Sequence, residues 1–489
     1  MKFSKSLTEN IETAVALFPI HKSFDLITRE ISFGNLNGYF IGINGFCNQE
    51  LLQRLFSDLQ NPSFFSSLST GGLEEFIARR IGYSQVKLVY DWDTLTKNVL
   101  SGPCALLIDG FSSAIIIDTR SYPARSIEEP ENEKVMRGSK DGFVETLLYN
   151  TNMIRRRIRT PKLTFELLSV GSESKTDVAI AYLDGIAQDD LIVKVKDKLS
   201  SIRVTSLTMG TKSLQELLFP HKWYHPLPSF FLTERPDVAC SYLSEGYILL
   251  MVDTNPSALV LPCSIFQFTQ SPEDYYKTTP NGNYIRLIRF ACIFLSLLLL
   301  PTFLLLSSNP QYLPEGITLL PTGELSKVRL FIYVLFAELL LDLFKYSSSH
   351  TPGGFSGSLA IVGGLLIGDV AVKLQWASPE IIFYASATVL ASLSLSSIEF
   401  SDGIRIYRLF LILCTGFFQL WGYLLGIFLI LLSLCTTPSF GGRSYFWPLV
   451  PFDWQALKTL LFRTPAAKAQ PTQIRHSPAV TSKHKEPSS

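Results

Sequence analysis

Arg286–Leu306 reads RLIRFACIFLSLLLLPTFLLL, two arginines and then an uncharged run that lasts from Phe290 to Pro314. A helix needs about 20 apolar residues to cross a hydrocarbon core about 30 Å thick. The run therefore predicts a transmembrane segment, even with Pro301 inside it. It also divides the chain. Of the 85 Lys, Arg, Asp and Glu residues, 60 lie in residues 1–284 and only 20 in residues 285–463, so a charged soluble region precedes a charge-poor membrane region. Overall the 489 residues are 47% hydrophobic and 17% charged with a net charge of +1. That composition excludes a disordered chain, a fibrous rod and a simple soluble enzyme. The near-neutral balance also lacks the basic footprint of a nucleic-acid binder.

Downstream, Leu409–Gly442 is uncharged for 34 residues. As one helix it would reach about 51 Å, more than one span and less than two. It is read as one tilted or broken span, with Gly416, Gly422 and Gly426 on its path. Three weaker segments intervene. Leu330–Phe344 carries Glu338 and Asp342, four apart on one helix face. Ser356–Leu374 is rich in small residues and carries Asp369 and Lys373; Ile381–Ile398 is uncharged and also rich in small residues. The total is four to six membrane segments. Arg286 and Arg289 place the N-terminal region on the cytoplasmic side, and the basic, Pro-rich tail prefers the same side, favouring an even number of crossings. That tail, 464–489, is expected to be disordered.

Within the soluble region one pattern occurs twice. Asn37–Leu59 (NGYFIGINGFCNQELLQRLFSDL) and Asp177–Leu199 (DVAIAYLDGIAQDDLIVKVKDKL) each read as strand, glycine turn and amphipathic helix. Leu100–Asp118 and Leu243–Leu261 each read as a hairpin. The expected fold is thus an α/β soluble N-terminal region of two related strand-helix-hairpin subdomains, near 24–122 and 164–268, followed by an α-helical transmembrane domain. The corresponding domains are 1–163, including an Arg-rich connector helix, then 164–284, 285–463 and the tail 464–489.

That connector helix, Asp141–Arg159, ends in Arg155, Arg156, Arg157 and Arg159. These complement the helix dipole and are candidates for inter-domain or inter-subunit ion pairs with upstream acids such as Glu128 and Glu129. Contact with an anionic lipid or phosphate is the other reading left open; interleaved aromatics for nucleic acid are lacking. His221 and His225 have helical metal-ligand spacing, but Pro220 and Pro226 bracket them and no third ligand is evident, so ordinary surface or packing histidines are the preferred reading. Seven scattered cysteines with no CxxC pair suit a reducing compartment, and the short apolar stretch Ala14–Phe18 is too brief for an export signal. No GxSxG, Walker A or GxGxxG sequence occurs. Neither an enzyme nor a cofactor is expected.

In the membrane half, ionisable groups at bilayer depth are costly unless paired or hydrated, which singles out Glu338, Asp342, Asp369 and Lys373 as ion-pathway candidates or buried pairs. Ser356, Ala360, Gly363, Gly364, Ile367 and Gly368, with Asp369 and Lys373, form a small-residue stretch suited to close packing or a narrow pore. So few spans cannot enclose a channel alone, so conduction would need an oligomer.

The stretch from Tyr122 to Ala187, with EEPENEKVMRGSKDGFVETLLYNTNMIRRRIRTPKLTFELLSVGSESKTDVAIAYLDGIA, resembles the A-subunit family of GerA-type spore germination receptors. So do TPGGFSGSLAIVGGLLIGDVAVK (351–373), ASPEIIFYASATVLASLSLSS and the C-terminal SFGGRSYFWPLVPFDWQALKTLLFRTP. The likeness covers nearly the whole chain. One departure is SFGGRSYFWP, where the receptor pattern runs closer to SFGVPY. The resemblance implies a multi-pass protein of the spore inner membrane in a spore-forming Firmicute, homo-oligomeric as a pentamer, that forms a channel releasing monovalent cations. It also implies other spore inner-membrane germination proteins as partners, including a permease-like B subunit and a C lipoprotein; nutrient recognition belongs to the former. A non-conducting scaffold that clusters germination receptors or a dipicolinate channel is the rival expectation.

Overall fold

The computed structural model describes residues 1–33, 36–59, 73, 85–121, 130, 133–219, 224–312, 326–349, 373, 378–437, 439–442 and 444–463. These fall into two compact units: residues 1–219 with 230–262, and residues 224–229 with 263–463.

The first unit holds two five-stranded antiparallel sheets of one design. In order come α1 (Leu7–Leu17), β1 (Leu26–Phe33), β2 (Leu36–Ile43), α2 (Gln49–Leu59), β3 (Val86–Val89), α3 (Trp92–Val99), β4 (Cys104–Ile108) and β5 (Ala114–Ile117), with strand order β1-β2-β4-β5-β3. Then follow α4 (Leu147–Arg157), β6 (Leu163–Val170), β7 (Thr176–Leu183), α5 (Asp189–Ser201), α6 (Thr211–Leu218), β8 (Phe231–Thr233), α7 (Pro236–Ser244), β9 (Ile248–Val252) and β10 (Ala258–Leu261), in the order β6-β7-β9-β10-β8. The duplicated α/β region expected from the sequence is present. The two-residue period of a strand sorts the first sheet's apolar side chains into two cores. Tyr39, Ile41, Ala105, Leu107 and Ile116 enter one; Phe40, Leu106, Ile108, Ile115 and Ile117 enter the other.

The repeat begins earlier than its strands. In α1 the Asn10 side chain accepts from the Ser4 amide (3.0 Å) and donates to the Ser4 carbonyl (2.7 Å); in α4, Asn150 does the same with Val144 (2.8 and 2.6 Å). The Leu7 amide donates to Asp109 and the Leu147 amide to Asp253. The hairpin tips match as well. Gly110 (φ 86°) donates its amide to Lys5, and Thr254 (φ 65°) donates to Glu145. The Arg-rich helix α4 is therefore the second copy's counterpart of α1. The left-handed backbone at Thr254 is the copy of a turn that glycine fills in the first half.

The second unit is helical: α8 (Pro272–Tyr276), α9 (Thr279–Ser308), α10 (Lys327–Ser349), α11 (Pro379–Leu393), α12 (Ile398–Thr436) and α13 (Trp454–Leu461). Two of these, α9 and α12, are long and apolar enough to cross a membrane. Leu300, Phe303 and Leu304 of α9 pack with Leu330, Val334 and Ala337 of α10, Ile381 and Ala385 of α11, and Ile412 of α12. Lys327 at the start of α10 reaches Asn309 at the end of α9 while Glu338 shares Arg408 with Ser296, and Tyr384 of α11 stacks on Phe303 while Ser396 beyond it reaches Phe268, so both helices run antiparallel to α9 and parallel to each other.

Helix α12 is not one rod. Gln419 has non-helical backbone angles (φ 54°, ψ −131°). A Cβ at Gly422 would lie 1.9 Å from the Cys414 carbonyl oxygen, and one at Gly426 would lie 2.6 Å from Leu411 Cδ1. The Tyr407 hydroxyl is 3.1 Å from Ser433 Oγ, although 26 residues of straight helix would separate them by about 39 Å. The uncharged run therefore folds back at Gln419 into two antiparallel halves of about 31 and 25 Å. Of the expected tilted or broken span, the structure shows the broken form, folded back on itself, and the glycines at 422 and 426 allow the halves to touch.

Candidate functional site

The charges that the sequence places among apolar helices meet in a ladder between α10 and the first half of α12. Lys345 Nζ is 3.2 Å from Asp402, Arg405 Nη1 is 3.3 Å from Asp342, and Arg408 Nε is 2.8 Å from Glu338 Oε1. Steps of four and three residues on α10, and of three and three on α12, keep all six on facing stripes, and their opposite order makes the helices antiparallel. The outer rungs are partly exposed. The inner rung is buried, with Glu338 at 0% and Arg408 at 1% exposure. Arg408 also donates to the Ser296 carbonyl (2.7 Å) and through Nη2 to Glu338 Oε1, while Glu338 Oε2 has no hydrogen-bond partner among the described residues.

The ladder fixes register. Sliding α10 one turn in one direction brings Lys345 to Arg405; the opposite slide brings Asp342 to Asp402. Each slide sets one like-charge pair together and leaves one member of the buried rung without an opposite charge, so the observed register is the one in which all three rungs are attractive. Removing one partner of the buried rung would leave an uncompensated charge, at a cost of about 3–5 kcal/mol.

At the hairpin tip a second polar chain forms. Lys327 Nζ donates to Asn309 Oδ1 (2.9 Å), and Asn309 Nδ2 donates to Gln419 Oε1 (2.8 Å). At the opposite end of α9, Arg286 and Arg289, read from sequence as membrane flanks, are buried on Asp274. Arg289 forms a two-pronged pair (2.7 and 3.0 Å), and Arg286 Nε lies 3.5 Å away. Arg463 donates to the Asp274 and Lys277 carbonyls. His225 is buried with Nδ1 3.3 Å from the Tyr407 hydroxyl and 3.2 Å from Thr437 Oγ1, across the two halves of the hairpin.

Among the arginines of α4, Arg155 is buried and pairs with Asp25 (2.7 Å), 130 residues upstream. It also donates to the Thr160 and Leu163 carbonyls, and its guanidinium lies 5.3 Å from the Phe165 ring centre. Ser23 completes the joint by donating to Asp25 and accepting from the Phe165 amide. Arg157 pairs with Asp141, Arg159 donates to the Arg156 carbonyl, and Arg156 is exposed. Burial pushes the nearby Glu133 carboxyl up to about 7, against hydrogen bonds from the Thr233 hydroxyl and the Glu234 amide. Glu128, Glu129 and the candidate pore residues Ser356, Ala360, Gly363, Gly364, Ile367, Gly368 and Asp369 lie outside the described residues. Lys373 is described, helical and exposed.

The chain thus combines a duplicated α/β region with a helical bundle in which two helices are long and apolar enough to cross a membrane and charges are locked between helices. Residues 17–473 match the Bacillus/Clostridium GerA spore germination protein family, and the chain belongs to that family. It is 33% identical over 454 residues to stage V sporulation protein AF of Bacillus subtilis (strain 168), covering 92% of each chain. Spore germination protein KA of the same organism is 29% identical over 475 residues (94% of this chain, 85% of that one). Its uncharacterized membrane protein YfkQ is 28% identical over 474 residues (94% and 90%). The crystal structure of the N-terminal domain of the A subunit of the Bacillus megaterium spore germinant receptor GerK3 aligns with TM-score 0.42 and 25% identity. It covers 53% of this chain and 96% of that one.

Proposed function

We propose that this protein is an integral-membrane subunit of a spore germination complex, homo-oligomeric as a pentamer, and that it forms an ion-conducting channel in the spore inner membrane. The observation that carries this reading is the buried Glu338–Arg408 rung. A charged pair with one carboxylate oxygen unmatched, held between helices whose outer faces expose Phe417, Trp421 and Phe428, is costly in a bilayer unless it serves the passage of charge or frames it. In this reading α10 and α12 are the rigid frame, and the small-residue stretch from Ser356 to Lys373 lines or gates the conduit. The membrane segments number four to six in this reading, and an even number of crossings keeps the N-terminal region and the basic tail on the cytoplasmic side. Other germination proteins of the same membrane are its partners.

Cation release from germinating spores that carry Asp369→Ala, or a bulky residue at Gly364, tests the reading. Altered release is expected at normal protein abundance, and unchanged release would overturn it. Production in vegetative cells separates a channel, which depolarises the membrane or is made to do so by a helix substitution, from a scaffold that clusters receptors or a dipicolinate channel.

A further inference from the structure

Two of the seven cysteines meet. Cys47, in the turn between β2 and α2, has its Sγ 2.7 Å from Sγ of Cys104, the first residue of β4. That is well inside the contact distance of two sulfurs, and short of the roughly 2.04 Å of a disulfide bond. The approach is built by backbone: Cys47 forms an isolated antiparallel bridge with Arg120, and the Asn48 amide donates to the Thr119 carbonyl, drawing the turn onto the end of the sheet where Cys104 begins. The two thiols differ in setting. Cys104 is fully buried, with Thr119 Oγ1 at 3.6 Å, whereas Cys47 is partly exposed and near the Ile43 and Gly102 carbonyls.

The second copy of the repeat has no such pair. Strand register equates Cys47 with Ala187 and Cys104 with Ile248, two apolar residues that satisfy the same packing. The thiols are thus not required by the fold. We propose that Cys47 and Cys104 are a reversible disulfide site, a thiol switch in the first sheet that reacts with small-molecule disulfides.

The order of events follows from exposure. Cys47, as thiolate, attacks one sulfur of a disulfide RSSR and expels RS⁻, leaving a mixed disulfide on Cys47. Cys104 then gives up its proton and attacks the Cys47 sulfur, expelling the second RS⁻. Two protons and two electrons have passed from the protein to RSSR, giving two RSH and one Cys47–Cys104 bond. The titration of the pair agrees with these roles: the hydrogen bond from Cys104 lowers the Cys47 thiol despite burial, while the same contact and burial raise Cys104.

The test is peptide mapping of the detergent-solubilised full chain after incubation with oxidised glutathione. The expected product is one intramolecular cross-link, Cys47–Cys104, reversed by dithiothreitol. Cys104→Ser should stop at a glutathione adduct on Cys47. Cys47→Ser should slow modification of Cys104 at least about tenfold, because burial withholds that thiol from solvent. Alkylation of the unmodified protein gives a check free of substitutions: Cys47 should be labelled before Cys104, and both should be protected after oxidation. Cross-linking through other cysteines, a stable mixed disulfide in the wild-type chain, or undiminished reaction of Cys104 in Cys47→Ser would overturn the proposal.

Discussion

The first unit holds the buried pair Arg155–Asp25 and the second the buried pair Arg408–Glu338, and the two are finished differently. In the soluble unit, Arg155 is held by both oxygens of Asp25, by two carbonyls and by the face of Phe165, and Asp25 takes a further bond from Ser23. In the helical unit, Arg408 binds one oxygen of Glu338 and the Ser296 carbonyl, and the other Glu338 oxygen has no partner among the described residues. The first pair is a joint whose neighbours were shaped around it. The second is a rung whose value lies in register, set by like charges that any slide would bring together. A satisfied network becomes part of the fold, whereas an incompletely satisfied pair in an apolar setting points to a role other than stability.

Truncation of either arginine should have the largest effect. Arg155→Ala and Arg408→Ala should each cost about 3–5 kcal/mol, since each leaves a buried carboxylate alone; thermal unfolding and folded yield in detergent report this. Apolar replacement of both partners should then separate the two regions. Glu338→Leu with Arg408→Met should recover most of the loss. Asp25→Leu with Arg155→Met should not, because it strands Ser23 and the Thr160 and Leu163 carbonyls. Equal recovery at both sites would remove the distinction. Next in size, Gly422→Ala should cost about 1–3 kcal/mol by overpacking, because its Cβ would meet the Cys414 carbonyl. Folded yield unchanged by that substitution would argue against the closed hairpin. Arg405→Asp should cost about 1 kcal/mol, as expected of a partly exposed rung turned repulsive.

A separate effect concerns pH in the first unit. The folded Glu133 carboxyl titrates near 7, above the roughly 4.3 of an unfolded glutamate, so the native state binds the extra proton. Its contribution is fully present below about pH 4.3 and is lost as pH rises through 7. The midpoint of thermal unfolding should fall between pH 5 and 8, and Glu133→Gln should flatten that slope.

How much of this was legible in the sequence depended on where the partners lie. The repeat could be read because Asn37–Leu59 and Asp177–Leu199 share an order of strand, turn and helix, but the membership of α4 in the second copy rests on hydrogen bonds of Asn10 and Asn150 that no periodicity reveals. Glu338 and Asp342 stood out by their spacing, yet their partners lie on another helix in a stretch that reads as a flank. Arg155 was noticed as part of a cluster, while Asp25 sits 130 residues away. The turn at Gln419 carried no turn-forming residue; only the glycines on either side hinted that two helical halves could approach. Buried Asp274 was missed because Arg286 and Arg289 already had a sufficient explanation as residues bordering a bilayer.

The most direct test of conduction through the membrane unit is potassium efflux from liposomes that contain the full-length protein, compared with protein-free vesicles and with vesicles holding a Gly364→Leu variant. Protein-dependent efflux in the wild-type chain or the variant, differing between the two, is the expected result. Traces indistinguishable from protein-free vesicles for both chains, with both folded and inserted, would contradict a conducting role.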